Sequence, residues 1–564
     1  MRKRLKNNLR LTAFYSRVLR NAGVIQNLPS AQQQSEAYIK NMLGQSTKFT
    51  QMSPMSSVAP VLIVIVVEAD RKKLAVTLKS IEQLANQADV LFYCLSEYQG
   101  KCKKILKNLR VDDFDGKTIT SLTEQGALGR SEGGYFIIFE GDSLHADYAK
   151  VITTVLLPSS DIAYVDSDTL SEEGVRHTPE FYPDWNPDLQ ISTGYIRSGV
   201  WVRDIEFLLA NVPAQISANY VCEWMILFYL NNPSGSVQHI SYTLLHGSDA
   251  ALKGFNHSNT TIPADLAEKA EVFVNHSHDV LSLKWKLVEE PLVSLIIPTK
   301  NGKDLVKACI ESIFAKSTYR NFEILLVDNN SDDPEALAYF DSLRLHAKVN
   351  LLKYPFEFNY SAINNFAVKH ARGEIIGLVN NDIEVVEPDW LTHMVGHAVR
   401  PDIGCVGAKL IYANGLIQHA GVVMGYGGGA GHAHKYFPAA HPGYLKRIVA
   451  TQNFSAVTAA CLLVKKSDYE QVGGLNEIEF KVAFNDVDFC LRILGLGRRN
   501  LYCAEAVLYH HESVSRGFED TVEKQARFNS EVAYMQTTWQ HFITHDPAYN
   551  SNLTLRYENF AIKE

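Results

Sequence analysis

The chain has 564 residues, 46% hydrophobic and 21% charged, a balance that excludes disordered, collagen-like and fibrous proteins. At about 150 residues per domain, the length predicts three or four domains. A net charge of −8 and a pI near 6.2 argue against nucleic acid as the main partner.

The first residues depart from this acidic average. Arg2, Lys3, Arg4, Lys6, Arg10, Arg17 and Arg20 all precede the first acid, Glu36, and Leu5, Leu9, Phe14 and Val18 lie among them. No long apolar core follows, so the segment is not read as a signal peptide. A basic amphipathic helix on an anionic membrane surface and a solvated tail both fit it. Residues 27–57, rich in Gln, Ser, Asn and Met, read as a linker, so 1–57 is taken as arm plus linker. The longest strongly apolar run, 58–67, contains Pro60 and is far short of the roughly 20 residues a membrane helix needs.

A first α/β block starts at Pro60. The β-branched run 61–67 predicts a buried strand, 71–86 a helix and 90–95 a second strand. A second block starts at Pro291, with strands predicted at 293–298, 323–328, 349–354 and 374–380 and helices at 303–316 and 359–371. Strands alternating with helices imply parallel βαβ units. Gly133–Asp142 can be laid on Gly373–Asp382 without a gap, each an apolar strand closing on Asp. The chain therefore reads as two related α/β domains, 58–288 and 289–520, followed by a helical extension, 521–564. The eight cysteines form no CxxC pair and read as buried free thiols in a reducing compartment.

Ligands of open parallel sheets bind beyond the carboxyl ends of the strands. In the second block those ends carry Thr299-Lys300-Asn301-Gly302, Asp328–Asp333 and Asn380-Asn381-Asp382. Neither GxGxxG nor a P-loop is present. Asp382 suits a hard divalent cation held together with substrate phosphate; the same triplet also suits a plain turn. Asp486 and Asp488 open a helical pattern, where the helix dipole favours an ionised base and where a local ion pair with Arg492 is the simpler alternative. His510, His511 and Arg516 form a polar cluster suited to metal or phosphate. The glycine-rich stretch 425–431, with His432 and His434, reads as a flexible acceptor-side loop rather than a phosphate loop, and His419 as structural.

Taken in order, IIPTKNG, VDNNSDD, ARGEIIGLVNNDIEV, SAVTAACLLV, GGLNE, FNDVDFCLRI and YHHESVSRG resemble family 2 glycosyltransferases, in particular bacterial O-antigen or surface-polysaccharide members of the rhamnosyltransferase type. HTPEFYPDWNPDLQISTGYI (177–196) resembles a segment of tandem relatives. The resemblance implies tandem GT-A (Rossmann-like) domains and inverting transfer from a nucleotide-diphosphate sugar such as dTDP-rhamnose or a UDP-hexose; the first domain reads as degenerate, because its counterpart of the Asp486 helix, 221–226, offers only Glu223 as a base. The resemblance implies Asp486 as catalytic base, and Thr299, Asn301, Asp328 and Asn381 at the nucleotide. It further implies Asp382 and His510 at Mg²⁺ or Mn²⁺, and His511 and Arg516 at phosphate. The first carboxylate of the DxD-type motif is replaced by Asn380. The implied acceptor is a growing or lipid-linked glycan, which would place the protein in the cytoplasm, peripherally on the inner membrane if the arm binds there. A bifunctional enzyme and a non-catalytic glycan-binding scaffold are the competing readings.

Overall fold

A computed structural model describes residues 28–54, 58–84, 89–94, 96–108, 117–119, 131–171, 173–205, 217–248, 256–511 and 521–564. The basic arm and Arg516 lie outside the described residues. The chain divides into two compact units. The first takes Pro29–Leu266, Asn550–Thr554 and Ala561–Glu564; the second takes Ala267–Tyr549 and Leu555–Phe560.

The first unit is built on β1 (Val61–Val66), β2 (Val90–Cys94), β3 (Lys117–Ile119), β4 (Tyr135–Phe139), β5 (Ser143–Leu144), β6 (Ile162–Leu170), β7 (Val200–Val202) and β8 (Val237–Ser248). Their order across the sheet is 3-2-1-4-7-6-8-5. β1 pairs in parallel with β2 and β4, whereas β7 runs antiparallel to both β4 and β6. The continuous apolar run of β1 is buried on both faces, as expected of a central parallel strand covered by helices.

The second unit repeats this plan. Its strands are β9 (Val293–Thr299), β10 (Phe322–Asp328), β11 (Val349–Lys353), β12 (Ile375–Val379), β13 (Ile383–Val385), β14 (Ile403–Ile411), β15 (Cys461–Lys465) and β16 (Arg499–His510). Their order is 11-10-9-12-15-14-16-13. Each strand sits where its counterpart eight numbers earlier sits in the first sheet, and the pairing directions agree. The repeat extends to register. Ser143 pairs with His246 in the first sheet, and Ile383 pairs with His510 in the second. The ungapped match of Gly133–Asp142 to Gly373–Asp382 thus falls on equivalent strands.

Predicted elements of the second block lie within a residue or two of those observed, except that the second helix is shorter, Tyr360–Val368. Three expectations differ. The segment read as a linker contains a helix, α1 (Ala31–Gln51), opened by a capping box between Ser30 and Gln33. Tyr38 and Phe49 on α1 are buried in the first unit, and two aromatics supplied an anchor that a Gln-rich composition concealed. The hairpin Ala270–Asn275/Val280–Trp285 belongs to the second unit rather than the first. The terminal extension is helical only over Val522–Thr538 and Gln540–Thr544. Beyond that it is irregular, and Asn550–Thr554 return to the first unit, where Asn550 donates to Asp166 at 3.0 and 3.1 Å. All eight cysteines are free and buried. Among the described residues, no helix is long and apolar enough to cross a membrane.

Candidate functional site

The second sheet raises its polar residues at one edge, where β9, β10 and β12 end. β9 finishes at Thr299, and the chain turns through left-handed Asn301 (φ 54°) and Gly302 (φ 64°) before the helix Lys303–Lys316 begins. Asn301 ties this loop to the next. Its N–H donates to Ser331 Oγ at 2.7 Å, its Nδ2 donates to Asp332 Oδ1 at 2.8 Å, and its Oδ1 accepts the N–H of Asp332 and Asp333 at 3.0 Å. Asn381 Nδ2 donates to Thr299 Oγ1 at 3.0 Å. Asp328, buried at the end of β10, accepts the N–H of Ser331 on Oδ1 at 3.0 Å, so its second oxygen keeps acceptor capacity. Thr299, Asn301, Asp328 and Asn381 therefore form one hydrogen-bonded rim, with Asn301 as its tie.

Asp382 lies directly after β12 and is 5% exposed. Pairing of β13 with β16 brings His510 beside it, Nε2 lying 3.2 Å from Asp382 Oδ1. Asn380 Nδ2 is 3.3 Å from the same nitrogen. Asp382 Oδ1 has no hydrogen-bond partner although it is buried, and the same is true of His510 Nδ1. Leaving such atoms unmade is costly. A buried carboxylate oxygen without a hydrogen bond, 3.2 Å from an imidazole nitrogen, suits a cation held by the two. Among the described residues no group of three or more His, Cys, Asp or Glu gathers at a point; further ligands would come from substrate phosphate, the usual arrangement for Mg²⁺. His511 faces elsewhere, as strand alternation requires: its Nε2 lies 3.4 Å from Glu384. The adjacent histidines thus separate, and only His510 joins Asp382.

Asp486 stands in the first turn of α2 (Asn485–Leu494). Its Oδ2 accepts the N–H of Ala459 at 3.0 Å and its Oδ1 accepts the N–H of Val487 at 2.9 Å. The adjoining Ala460 carbonyl accepts the N–H of Asn380 at 2.9 Å, so the backbone of Ala459 and Ala460 links Asp486 to the Asp382 edge. Burial pushes the Asp486 carboxyl above the ordinary carboxylate range, opposed by the Ala459 amide and the Thr458 hydroxyl. Asp488 is spent on structure: it accepts from Arg492 Nε at 2.8 Å and from Trp539 Nε1 at 3.0 Å. The local ion pair weighed from sequence therefore belongs to Asp488 and leaves Asp486 available.

The glycine-rich stretch is a correction. Val422–Met424 and Ala430–His432 pair as an antiparallel hairpin. A Cβ on Gly425 would lie 2.7 Å from the Ile543 carbonyl, so the turn is packed at its start, while Gly427 and Gly428 at its tip are exposed. His434 is fully buried and stacks on Phe560 at 4.1 Å. Burial pushes His432 down to about 3, so it is neutral and offers no charge to phosphate. His419 is buried, with Nδ1 2.9 Å from His432 Nδ1, the structural role expected. Sequence reasoning missed Thr458 and Tyr360, whose hydroxyl donates to the Ala459 carbonyl at 3.1 Å. Both hold the peptide that positions Asp486, and neither stands in a charged motif.

The model of glycosyl transferase family 2 matches residues 294–473, which contain the Thr299, Asp328 and Asp382 strand ends. Residues 294–473 are therefore a glycosyltransferase family 2 domain. An uncharacterised protein of Sinorhizobium fredii, y4gI, is 38% identical over 469 residues, 78% of this chain and 51% of that protein. The O-antigen biosynthesis protein RfbC of Myxococcus xanthus is 33% identical over 462 residues, 78% of this chain and 35% of that protein. This chain thus spans about half, or less, of the length of these relatives. Among solved structures, the mannosyltransferase PcManGT from Pyrobaculum calidifontis, in complex with GDP-Man and Mn²⁺, is 17% identical at a TM-score of 0.32, covering 45% of this chain and 73% of that one.

Proposed function

We propose that this chain is a family 2 glycosyltransferase that moves a sugar from a nucleotide-diphosphate donor to a surface-polysaccharide acceptor of the O-antigen kind, with inversion at the anomeric carbon. The observation that carries the reading is the buried Asp382–His510 pair, 3.2 Å apart, linked through the backbone of Ala459 and Ala460 to Asp486. RfbC's name supports the acceptor class. Asp328 and Thr299 would bind the nucleoside, with Asn301 and Asn381 fixing the loops that carry them. Asp382 and His510 would hold Mg²⁺ or Mn²⁺, which when bound supplies charge neutralisation for the departing diphosphate. Asp486, ionised at the helix start, accepts the proton of the attacking hydroxyl. Its two backbone amides aim the carboxylate before the acceptor arrives. Because one displacement suffices, no side chain need become covalently attached.

The identical strand order of the two sheets further supports tandem GT-A domains. In the first, the counterpart acid Glu223 is turned to the N–H of Thr261 at 2.8 Å, which favours a degenerate domain over a second active one. The basic arm would add peripheral attachment to an anionic membrane, at about 1 kcal/mol per Lys or Arg near the surface. The deciding experiment offers purified protein a panel of nucleotide sugars with an isolated glycan acceptor and measures nucleoside diphosphate. Release that depends on acceptor and is lost in Asp486→Asn supports the reading. Pyrophosphate release would instead identify a nucleotidyltransferase, and no release with any donor would favour a scaffold.

A further inference from the structure

The first unit holds a cavity of about 320 Å³, within the roughly 300–1,000 Å³ of small-ligand sites. It lies among the end of β4, the β6 strand and the segment before the helix Tyr220–Asn231, and its wall belongs entirely to the first unit. Its position corresponds to the donor edge of the second sheet, yet its chemistry differs.

No diphosphate machinery survives there. Glu140, the counterpart of Asn380, accepts the N–H groups of Val67, Glu68 and Asp70 at 3.1, 2.6 and 3.1 Å. This clamps shut the loop after β1, which in the second unit carries Thr299 and Asn301. His246, the counterpart of His510, is bonded to Asp168 at 2.6 Å. Asp142, the counterpart of Asp382, accepts Ser198 Oγ at 2.5 Å and the N–H of Phe139 at 3.0 Å. The carboxylate–imidazole pair is therefore dissolved, each member satisfied by the protein. The two cations in the wall are also committed: Lys73 pairs with Glu68 at 3.2 Å, and Arg197 pairs with Glu180. Among the described residues of the wall acids outnumber cations, so an incoming phosphate meets repulsion and finds both of those cations already paired.

What remains suits an uncharged polyol. Thr169 lines the cavity with a hydroxyl; the Ser167 and Tyr182 hydroxyls bond each other at 2.7 Å, with Tyr182 donating to Glu180 at 2.9 Å, and Ser198, which donates to Asp142, keeps acceptor capacity. Both bonds to Asp142 fall on Oδ2, leaving Oδ1 with acceptor capacity toward a ligand hydroxyl. The Tyr182 ring, braced at 5.5 Å by Tyr195, stands with Phe139 and Leu245 as apolar surface for the C–H face of a sugar ring. We propose that this cavity is a binding site for neutral glycan, separate from the donor site, by which the first unit grips a saccharide without reacting it.

The assay is direct binding, independent of transfer. Full-length protein is applied to an array of neutral bacterial oligosaccharide fragments, and the member retained best is titrated calorimetrically. Ala218→Trp fills the cavity without deleting a hydrogen bond and should weaken that glycan at least tenfold at an unchanged melting temperature. If Ala218→Trp does not fold, Ser198→Ala, which removes one hydroxyl and the Asp142 contact, should weaken the glycan severalfold. UDP with MnCl₂ should bind at one equivalent per chain and leave the glycan isotherm of the first unit in place. Retention of no neutral glycan, full affinity in the folded variants, or two equivalents of UDP per chain would each overturn the proposal. None of these results bears on diphosphate release, so the transferase reading stands or falls separately.

Discussion

The two sheets set the same Asp and the same His on equivalent strand positions and give them opposite fates. In the second unit, Asp382 and His510 face each other at 3.2 Å with buried atoms left unbonded. In the first, His246 turns to Asp168, which is itself held by Arg176 at 2.6 Å and by Tyr38 of α1. Asp142 turns to Ser198. The lesson is that strand order places a residue at the edge, while its neighbours decide whether its capacity remains for a ligand. A satisfied buried network stabilises; an unsatisfied one costs stability and is retained where chemistry needs it.

That contrast can be broken at the base. Asp486→Asn keeps shape and removes proton acceptance, so turnover should fall by about 10² to 10⁴, while equilibrium binding of the nucleotide stays within about threefold. Asparagine keeps one acceptor oxygen for the two amides that Asp486 accepts, so thermal melting should show a loss of about 1–3 kcal/mol from the amide left unpaired. Near-normal turnover would remove Asp486 from its role.

The metal pair comes next. Asp382→Asn or His510→Gln should weaken Mn²⁺-dependent nucleotide binding by about tenfold or more, since each weakens or removes one of the two ligands proposed among the described residues. Both should behave alike in a titration with and without EDTA; chelator-insensitive binding by the unaltered protein would contradict the pairing.

The pH profile sharpens the comparison further. A base with a raised pKa is protonated, and idle, below that pKa. The acid limb of kcat/KM should therefore lie above the ordinary Asp value near 4, with activity lost as pH falls through it, and the limb should be missing from the residual activity of Asp486→Asn. The smallest effect on turnover is expected in the first unit. His246→Gln should leave kcat within twofold, yet lower stability by about 1–3 kcal/mol because Asp168 loses a buried partner; calorimetric unfolding reports the second change and a steady-state assay the first. Loss of turnover there would show that the first unit also reacts.

The strands and most helices of the second block, and the placing of Asp328 and Asp382 at the ends of strands, were legible in the sequence, because apolar runs fix strand burial and polar clusters mark the ends of parallel strands; the family was legible from the order of its motifs. So was the ungapped repeat that foreshadowed matching sheets. Other features were decided only in three dimensions. α1 was hidden because its Gln-rich face is solvated and just a few side chains, Tyr38 and Phe49 among them, are buried. The division of labour between His510 and His511, and between Asp486 and Asp488, depends on which neighbour each side chain meets across the fold: Glu384, Arg492 and Trp539 each come from beyond the local motif or from its far side. The glycine-rich stretch reads as mobile because glycine permits many conformations, yet its ends pair as a hairpin and Gly425 is held against the Ile543 carbonyl. Local composition determines which backbone shapes are accessible; long-range packing and hydrogen bonding select one of them and settle which polar atoms remain unpaired.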